Sequence, residues 1–106
     1  MTPEVSVREL AVELQGENPP VLLDVREPDE LEINSLSGII AIPIGQIVNR
    51  KLELDPTADT VVICHSGGRS SQVTEYLLDN GFPKVRTLAG GMVAWVREID
   101  PSMPTY

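Results

Sequence analysis

The stretch "VVICHSGGRSSQVTEYLL", residues 61–78, joins a short apolar run, a glycine-containing loop and a helical pattern. Its apolar run ends at Cys64, the only cysteine of the chain, which is followed by His65, the only histidine. A continuous apolar run predicts a strand that is covered on both faces, as in a parallel sheet. Cys64 is therefore either a small core residue at a strand end or a nucleophile in a loop that binds an anion.

The same alternation of strands and helices continues along the chain. Apolar runs predict strands over 21–25, around 39–42, over 60–64 and over 84–88. Helical patterns and stop signals predict helices after Ser6, over 27–33, around 44–48, over 70–80 and over 90–100. Strands that alternate with short helices predict an α/β fold, with helices on both faces of a parallel sheet. We expect residues 1–106 to form one domain, because this length suits one core.

Composition narrows the range of partners and locations. The formal net charge of −8 argues against nucleic acid and anionic membranes as partners. The N-terminus lacks a signal peptide pattern, and no apolar run approaches the roughly 20 residues of a membrane span. One cysteine and one histidine cannot complete a zinc site without several carboxylates, so we expect no metal and no cofactor. A lone thiol suits a reducing compartment, and we expect a cytoplasmic protein.

The loop after Cys64 has the features of an anion-binding loop. Ligands of parallel sheets collect beyond the carboxyl ends of the strands, where Cys64 is predicted to lie. A thiol becomes a nucleophile when positive charge, amide N–H groups or a helix N-terminus stabilise its thiolate. Gly67 and Gly68 allow successive amides to turn inward. Arg69 could close over the anion or brace the loop from outside.

We therefore expect Cys64 to be catalytic, although free cysteines are often buried structural residues and two glycines can form a simple turn. We expect the loop that follows to bind the substrate; its residues are His65, Ser66, Gly67, Gly68, Arg69 and Ser70. Chain neighbours rarely face each other productively, so His65 is expected to line the pocket mouth or to be exposed and inert. It is not expected to act as the base for Cys64.

Five segments resemble signatures of the rhodanese (sulfurtransferase) family, and they occur in the family's order. They are "LLDVREPDEL" (22–31), "SGIIAIP" (37–43), "VVICHSGGRSS" (61–71), "YLLDNGFPKV" (76–85) and "LAGGMVAW" (88–95). The ending "REIDPSMPTY" (97–106) is similar to the rhodanese domain attached to some ubiquitin-activating-like adenylyltransferases. The resemblance implies a rhodanese-like α/β fold whose central parallel sheet has about five strands.

The resemblance also implies a sulfurtransferase activity without a cofactor. Cys64 would take a sulfane sulfur from a donor such as thiosulfate, become a persulfide, and pass the sulfur to cyanide, a thiol or an acceptor protein. Asp24 and Arg26 would support the surroundings of the loop structurally. The partners would be a small anionic sulfur donor and a desulfurase or sulfur-carrier protein. Efficient thiosulfate users often carry arginine at the position of His65, which favours a protein persulfide as the donor.

Two other functions use the same loop. One is a sulfur-carrier or interaction module of a larger sulfur-transfer system, with little turnover of its own. The other is a phosphatase or arsenate reductase. Four residues separate Cys64 from Arg69, whereas the related phosphatases have one more, and this favours sulfur.

Three features outside the loop carry weaker expectations. The acidic residues Asp24, Glu27, Asp29, Glu30 and Glu32 are expected to form a solvated helix face, with metal binding or partner steering as alternatives. The glycine pair Gly90-Gly91 could allow close approach to the loop or could form a helix-entry turn. The tail over 101–106 could dock on the domain or be a fragment end.

Overall fold

Five parallel strands form one sheet in the computed structural model, which describes residues 2–106. The strands are β1 (Glu4–Val5), β2 (Val21–Asp24), β3 (Ile40–Ala41), β4 (Thr60–Ile63) and β5 (Val85–Leu88). Their order is β1-β5-β4-β2-β3, so β4 lies at the centre. The predicted α/β class with a parallel sheet of about five strands is confirmed.

Helices cover both faces of this sheet. They are α1 (Val7–Glu13), α2 (Pro28–Ile33), α3 (Ile47–Arg50), α4 (Gly68–Asp79) and α5 (Gly91–Glu98), and 3-10 turns flank α3 on both sides. Side chains alternate along β4: Val61 and Ile63 pack in the layer of α1 and α5, while Val62 and Cys64 pack in the layer of α4. Across residues 2–106, no helix has the length and apolarity that a bilayer crossing requires.

Local sequence signals account for several element boundaries. The Ser6 hydroxyl accepts a hydrogen bond from the Glu9 amide at 3.1 Å, and the Glu9 carboxylate accepts one from the Ser6 amide at 2.9 Å. This reciprocal capping box begins α1 as the sequence predicts. Pro28 occupies the first turn of α2, where its missing N–H costs no helical hydrogen bond.

Two boundaries differ from the sequence prediction. Strand β1 has only two residues, Glu4–Val5, which is too short for a recognisable apolar run, and it exists because it pairs with β5. Helix α4 begins at Gly68, two residues before the predicted start. The left-handed backbone of Gly67 (φ +116°) turns the chain directly into the helix, so the end of the loop forms its first turn.

Candidate active site

Cys64 follows directly after β4, at the carboxyl edge of the central strand, and is 1% exposed. Its carbonyl oxygen accepts a hydrogen bond from the Met92 amide at 3.0 Å, and that of His65 accepts one from the Val93 amide at 3.0 Å. Two backbone hydrogen bonds therefore attach the start of the loop to the first turn of α5.

Gly91 makes this attachment possible. A Cβ at this position would lie 2.5 Å from the Cys64 carbonyl oxygen and 2.6 Å from that of His65. The backbone of Gly91 is also left-handed, with φ +57°. The second glycine of the 90–91 pair thus allows the close approach that the sequence left open.

The sulfur atom has a polar environment although the residue is buried. The Gly67 amide donates to Sγ at 3.0 Å, and the thiol donates to the Ser70 hydroxyl at 3.3 Å. The Ser70 hydroxyl donates in turn to the Gly67 carbonyl at 3.2 Å. Because a hydroxyl can donate or accept, Ser70 can pair with a thiol or, after rotation, with a thiolate.

A buried threonine orients that serine. Thr87 of β5 is 3% exposed, and its hydroxyl donates to the Ser70 oxygen at 2.7 Å. The hydrogen bond crosses from the strand next to β4 to the first turn of α4. Sequence reasoning missed Thr87, which is one of two polar residues in strand 85–88, beside Arg86.

Arg69 braces the loop from outside. Its guanidinium donates two hydrogen bonds to the Glu30 carboxylate of α2, at 2.6 and 2.8 Å. The hydrogen bonds from Arg69 lower the pKa of Glu30 to about 2, so the pair is ionised at neutral pH. The prediction that the acidic residues only form a solvated face is wrong for Glu30, which is paired, and for Asp24, which is buried.

Asp24 and Arg26 form a fully buried ion pair beside the loop. Arg26 Nη2 donates to Asp24 Oδ2 at 2.8 Å, and Nε donates to Oδ1 at 3.0 Å. Asn34 accepts from the same guanidinium through its side chain and its backbone carbonyl, each at 2.9 Å. Residue 24 pairs with Ile63 across the sheet, so the ion pair lies next to the strand end that carries Cys64.

The C-terminal tail docks on this cluster. The Tyr106 hydroxyl accepts from Arg26 Nη1 at 2.9 Å and donates to Glu30 Oε2 at 2.8 Å. The Asn34 amide donates to the Pro104 carbonyl at 2.8 Å. The Tyr106 ring lies against His65, with 4.2 Å between the ring centroids. Burial raises the pKa of Tyr106, which keeps its hydroxyl protonated and able to donate.

Comparison with protein families places the chain in a known group. The model of the rhodanese-like domain matches residues 6–98 of the 106. The chain belongs to the rhodanese-like family. The matched range contains Cys64, the loop, the Asp24–Arg26 pair and the Glu30 brace.

Curated proteins similar to this rhodanese-like chain include stand-alone and fused members. Rhodanese-like/PpiC domain-containing protein 12 of Arabidopsis thaliana is 44% identical over 89 residues, which cover 80% of the chain and 30% of that protein. Adenylyltransferase and sulfurtransferase UBA4 of Meyerozyma guilliermondii is 33% identical over 81% of the chain and 22% of that protein. A sulfurtransferase of Allochromatium vinosum is 32% identical over 92% of the chain and 91% of that protein.

The matches differ in how much of each relative they cover. The chain spans less than a third of the length of the first two relatives. The predicted similarity to the rhodanese domain of adenylyltransferase fusions is confirmed by the second relative. Among solved structures, a rhodanese-related protein of Thermoplasma volcanium has a TM-score of 0.84 and 29% identity, covering 92% of this chain and 93% of that chain.

Only some of the residues predicted for the site contact the Cys64 sulfur. The sulfur contacts the Gly67 amide and Ser70, whereas Ser66 and Gly68 are exposed. His65 is half-buried and lines a cavity beside the loop. Sequence reasoning did not assign Glu30, Asn34, Thr87 or Tyr106 to the site, because these residues join it only through the packing of distant segments.

Proposed function

We propose that the protein is a rhodanese-type sulfurtransferase that carries a sulfane sulfur on Cys64. The observation that supports this most directly is the environment of the Cys64 sulfur. It lies at the carboxyl end of the central strand and receives a backbone amide hydrogen bond and a hydroxyl contact. Four residues separate Cys64 from Arg69, a spacing that the resemblance to the rhodanese family associates with sulfur rather than with phosphate.

With thiosulfate as the donor, the reaction has two balanced steps. The Cys64 thiolate attacks the outer sulfur of thiosulfate, the sulfur–sulfur bond of the donor breaks, and sulfite leaves with that electron pair. The product is a Cys64 persulfide anion. Cyanide then attacks the outer sulfur, thiocyanate leaves, and the Cys64 thiolate is regenerated.

The loop supplies the stabilisation that both steps need. The persulfide anion lies at the N-terminus of α4, whose first amides have no helical partners. Arg69 is held by Glu30, so the backbone amides and the Ser70 hydroxyl provide the hydrogen bonds nearest to the sulfur. No separate general base is needed once the thiolate is formed.

The decisive experiment is mass spectrometry of the intact protein after treatment with thiosulfate, together with a thiocyanate assay. We expect Cys64 to gain the mass of one sulfur atom and cyanide to remove it. Cys64→Ser should show neither the added mass nor thiocyanate formation. Ser37→Ala, which changes an exposed serine that precedes β3 and lies outside the loop, is the matched control. Thiocyanate formation that survives in Cys64→Ser would contradict the mechanism.

A second candidate is a sulfur carrier with little turnover of its own. The UBA4 relative carries its matching part within a longer protein, of which the match covers 22%, and this supports a role within a larger system. Slow thiocyanate formation alongside rapid persulfide formation from a cysteine desulfurase would support this function. Hydrolysis of an aryl phosphate would instead support a phosphatase. For either sulfur function we propose a reducing compartment such as the cytoplasm, where Cys64 stays a thiol.

A further inference from the structure

A small cavity lies beside the loop, on the side of His65 and α5. Its volume is about 280 Å³, which suits a small organic group rather than a macromolecule. Three apolar side chains from one face of α5 form one wall, and the rings of His65 and Tyr106 form another. The lining residues include His65, Met92, Val93, Val96, Arg97 and Tyr106.

The cavity is held in a fixed relation to Cys64. His65 is the next residue after Cys64, and hydrogen bonds from the Met92 and Val93 amides attach both residues to α5. The same turn of α5 thus holds the backbone of Cys64 and supplies part of the cavity wall. A ligand seated in the cavity contacts His65, the first residue of the loop after Cys64.

Arg97 provides a cation at this cavity. The other five arginines each donate a hydrogen bond to a carboxylate, with distances of 2.6 to 3.1 Å in their ion pairs. Arg97 lies 3.6 Å from the carboxylate of its neighbour Glu98, and Glu98 already accepts from Arg8. Within residues 2–106, Arg97 is thus the arginine without a hydrogen-bonded carboxylate. In a chain of net charge −8, this leaves a local site for an anion.

His65 offers a second polar contact. Its Nδ1 atom is buried and has no hydrogen-bond partner in the part of the chain that the structure describes. Buried polar atoms are normally paired, so this nitrogen is an exception within a residue that lines the cavity. Apolar walls, an imidazole nitrogen and a peripheral arginine together favour a ligand with an apolar body and one anionic group.

We infer that this cavity is the acceptor subsite of the proposed sulfurtransferase and that it selects a small thiol with an apolar body and a carboxylate. The inference rests on the proposed persulfide at Cys64. In the transfer step, the acceptor thiol loses its proton to solvent and its sulfur attacks the outer sulfur of the persulfide. The bond between Cys64 Sγ and the outer sulfur breaks, Cys64 leaves as a thiolate, and the acceptor becomes a persulfide.

The test compares two acceptors of equal size, 4-(mercaptomethyl)benzoate and 4-(mercaptomethyl)benzamide, with the full chain preloaded by thiosulfate. We expect the KM for the carboxylate to be about fivefold lower than for the amide, because only the carboxylate forms a charge-assisted hydrogen bond with Arg97. Arg97→Gln should raise the KM for the carboxylate to that for the amide and leave kcat for both within about twofold.

Lys84→Gln is the matched control because it also removes one exposed positive charge. Lys84 precedes β5, at the edge of the sheet opposite to Cys64, so both KM values should stay unchanged. Persulfide mass is measured in each preparation before the acceptor is added. The proposed acceptor subsite is contradicted if the persulfide forms but the two acceptors have equal KM values, or if Lys84→Gln acts like Arg97→Gln. Neither result contradicts the proposed sulfurtransferase function. If no persulfide forms, the proposed function fails and the subsite fails with it.

Discussion

At the scale of single residues, the environment of the Cys64 sulfur depends on one hydroxyl. Ser70 lies 3.3 Å from Sγ, accepts from Thr87 and donates to the Gly67 carbonyl. It is fully buried, so its orientation is determined by these partners rather than by water. This arrangement places a hydroxyl where it can donate to the sulfur once the sulfur carries negative charge.

Ser70→Ala removes this donor without adding volume. A hydrogen bond to a charged group contributes about 1.5 kcal/mol, so we expect kcat/KM for thiosulfate to fall about tenfold. Ser71→Ala, at the next position of α4, is the control and should retain the wild-type rate. Steady-state thiocyanate assays measure both variants, and thermal denaturation checks that each is folded. An unchanged rate in Ser70→Ala would show that the backbone amides suffice.

At the scale of elements, the loop is attached to two helices. The backbone hydrogen bonds from α5 hold its start, and the Arg69–Glu30 pair joins its end to α2. Bidentate arginine–carboxylate pairs restrict both distance and orientation. The loop is therefore positioned by α2 and α5 as well as by its own glycines.

The α2 brace should weaken in acid. Hydrogen bonds from Arg69 lower the pKa of Glu30 from 4.5 to about 2, so Glu30 stabilises the fold fully above about pH 4.5. This contribution is lost as the pH falls from about 4.5 towards 2, because protonation of the carboxylate removes its charge. We expect the melting temperature of wild type to exceed that of Glu30→Gln at pH 6 and the gap to shrink between pH 4.5 and pH 2.

Thermal denaturation monitored by circular dichroism across this pH range measures the gap. Glu32→Gln is the control, since Glu32 is an exposed residue of the same helix. Its difference from wild type should stay small at every pH. A gap for Glu30→Gln that is constant down to pH 2 would show that the charge of Glu30 does not stabilise the brace.

At the scale of the whole molecule, the C-terminal tail packs against the segment that contains Arg26 and Glu30. Tyr106 bonds to Arg26 and Glu30, which lie 80 and 76 residues away in the chain. The guanidinium of Arg26 is fully buried, and burial by itself lowers its pKa. Hydrogen bonds from Arg26 to Asp24 and Tyr106 outweigh that effect and raise it overall. The tail therefore helps to satisfy a buried charge.

Tyr106→Phe keeps the ring against His65 and removes only the hydroxyl. We expect a loss of about 1 kcal/mol in the free energy of unfolding, because two hydrogen bonds to charged groups are lost and water partly replaces them. Tyr76→Phe is the matched control: its hydroxyl accepts from Lys51 at a distant, partly exposed place. Urea denaturation should show a smaller loss for Tyr76→Phe. Equal losses would show that the position of Tyr106 has no special importance.

The sequence predicted the parts of the site that are built locally. The alternation of apolar runs and helical patterns determines the order of strands and helices. Ser6 and Glu9 determine the start of α1. The glycines after Cys64 allow a loop that turns an amide towards the sulfur. Each of these depends on residues within a few positions of each other, where periodicity and backbone preference are visible.

The sequence alone determined that a cysteine follows a buried strand and precedes a loop and a helix, and this was sufficient to expect a nucleophile at Cys64. Only the tertiary structure decided that Thr87 orients Ser70, that Glu30 holds Arg69 and that Tyr106 covers Arg26. These partners are separated by 17, 39 and 80 residues. The strand order and helix packing decide which distant side chains meet, and local sequence patterns do not record those distances.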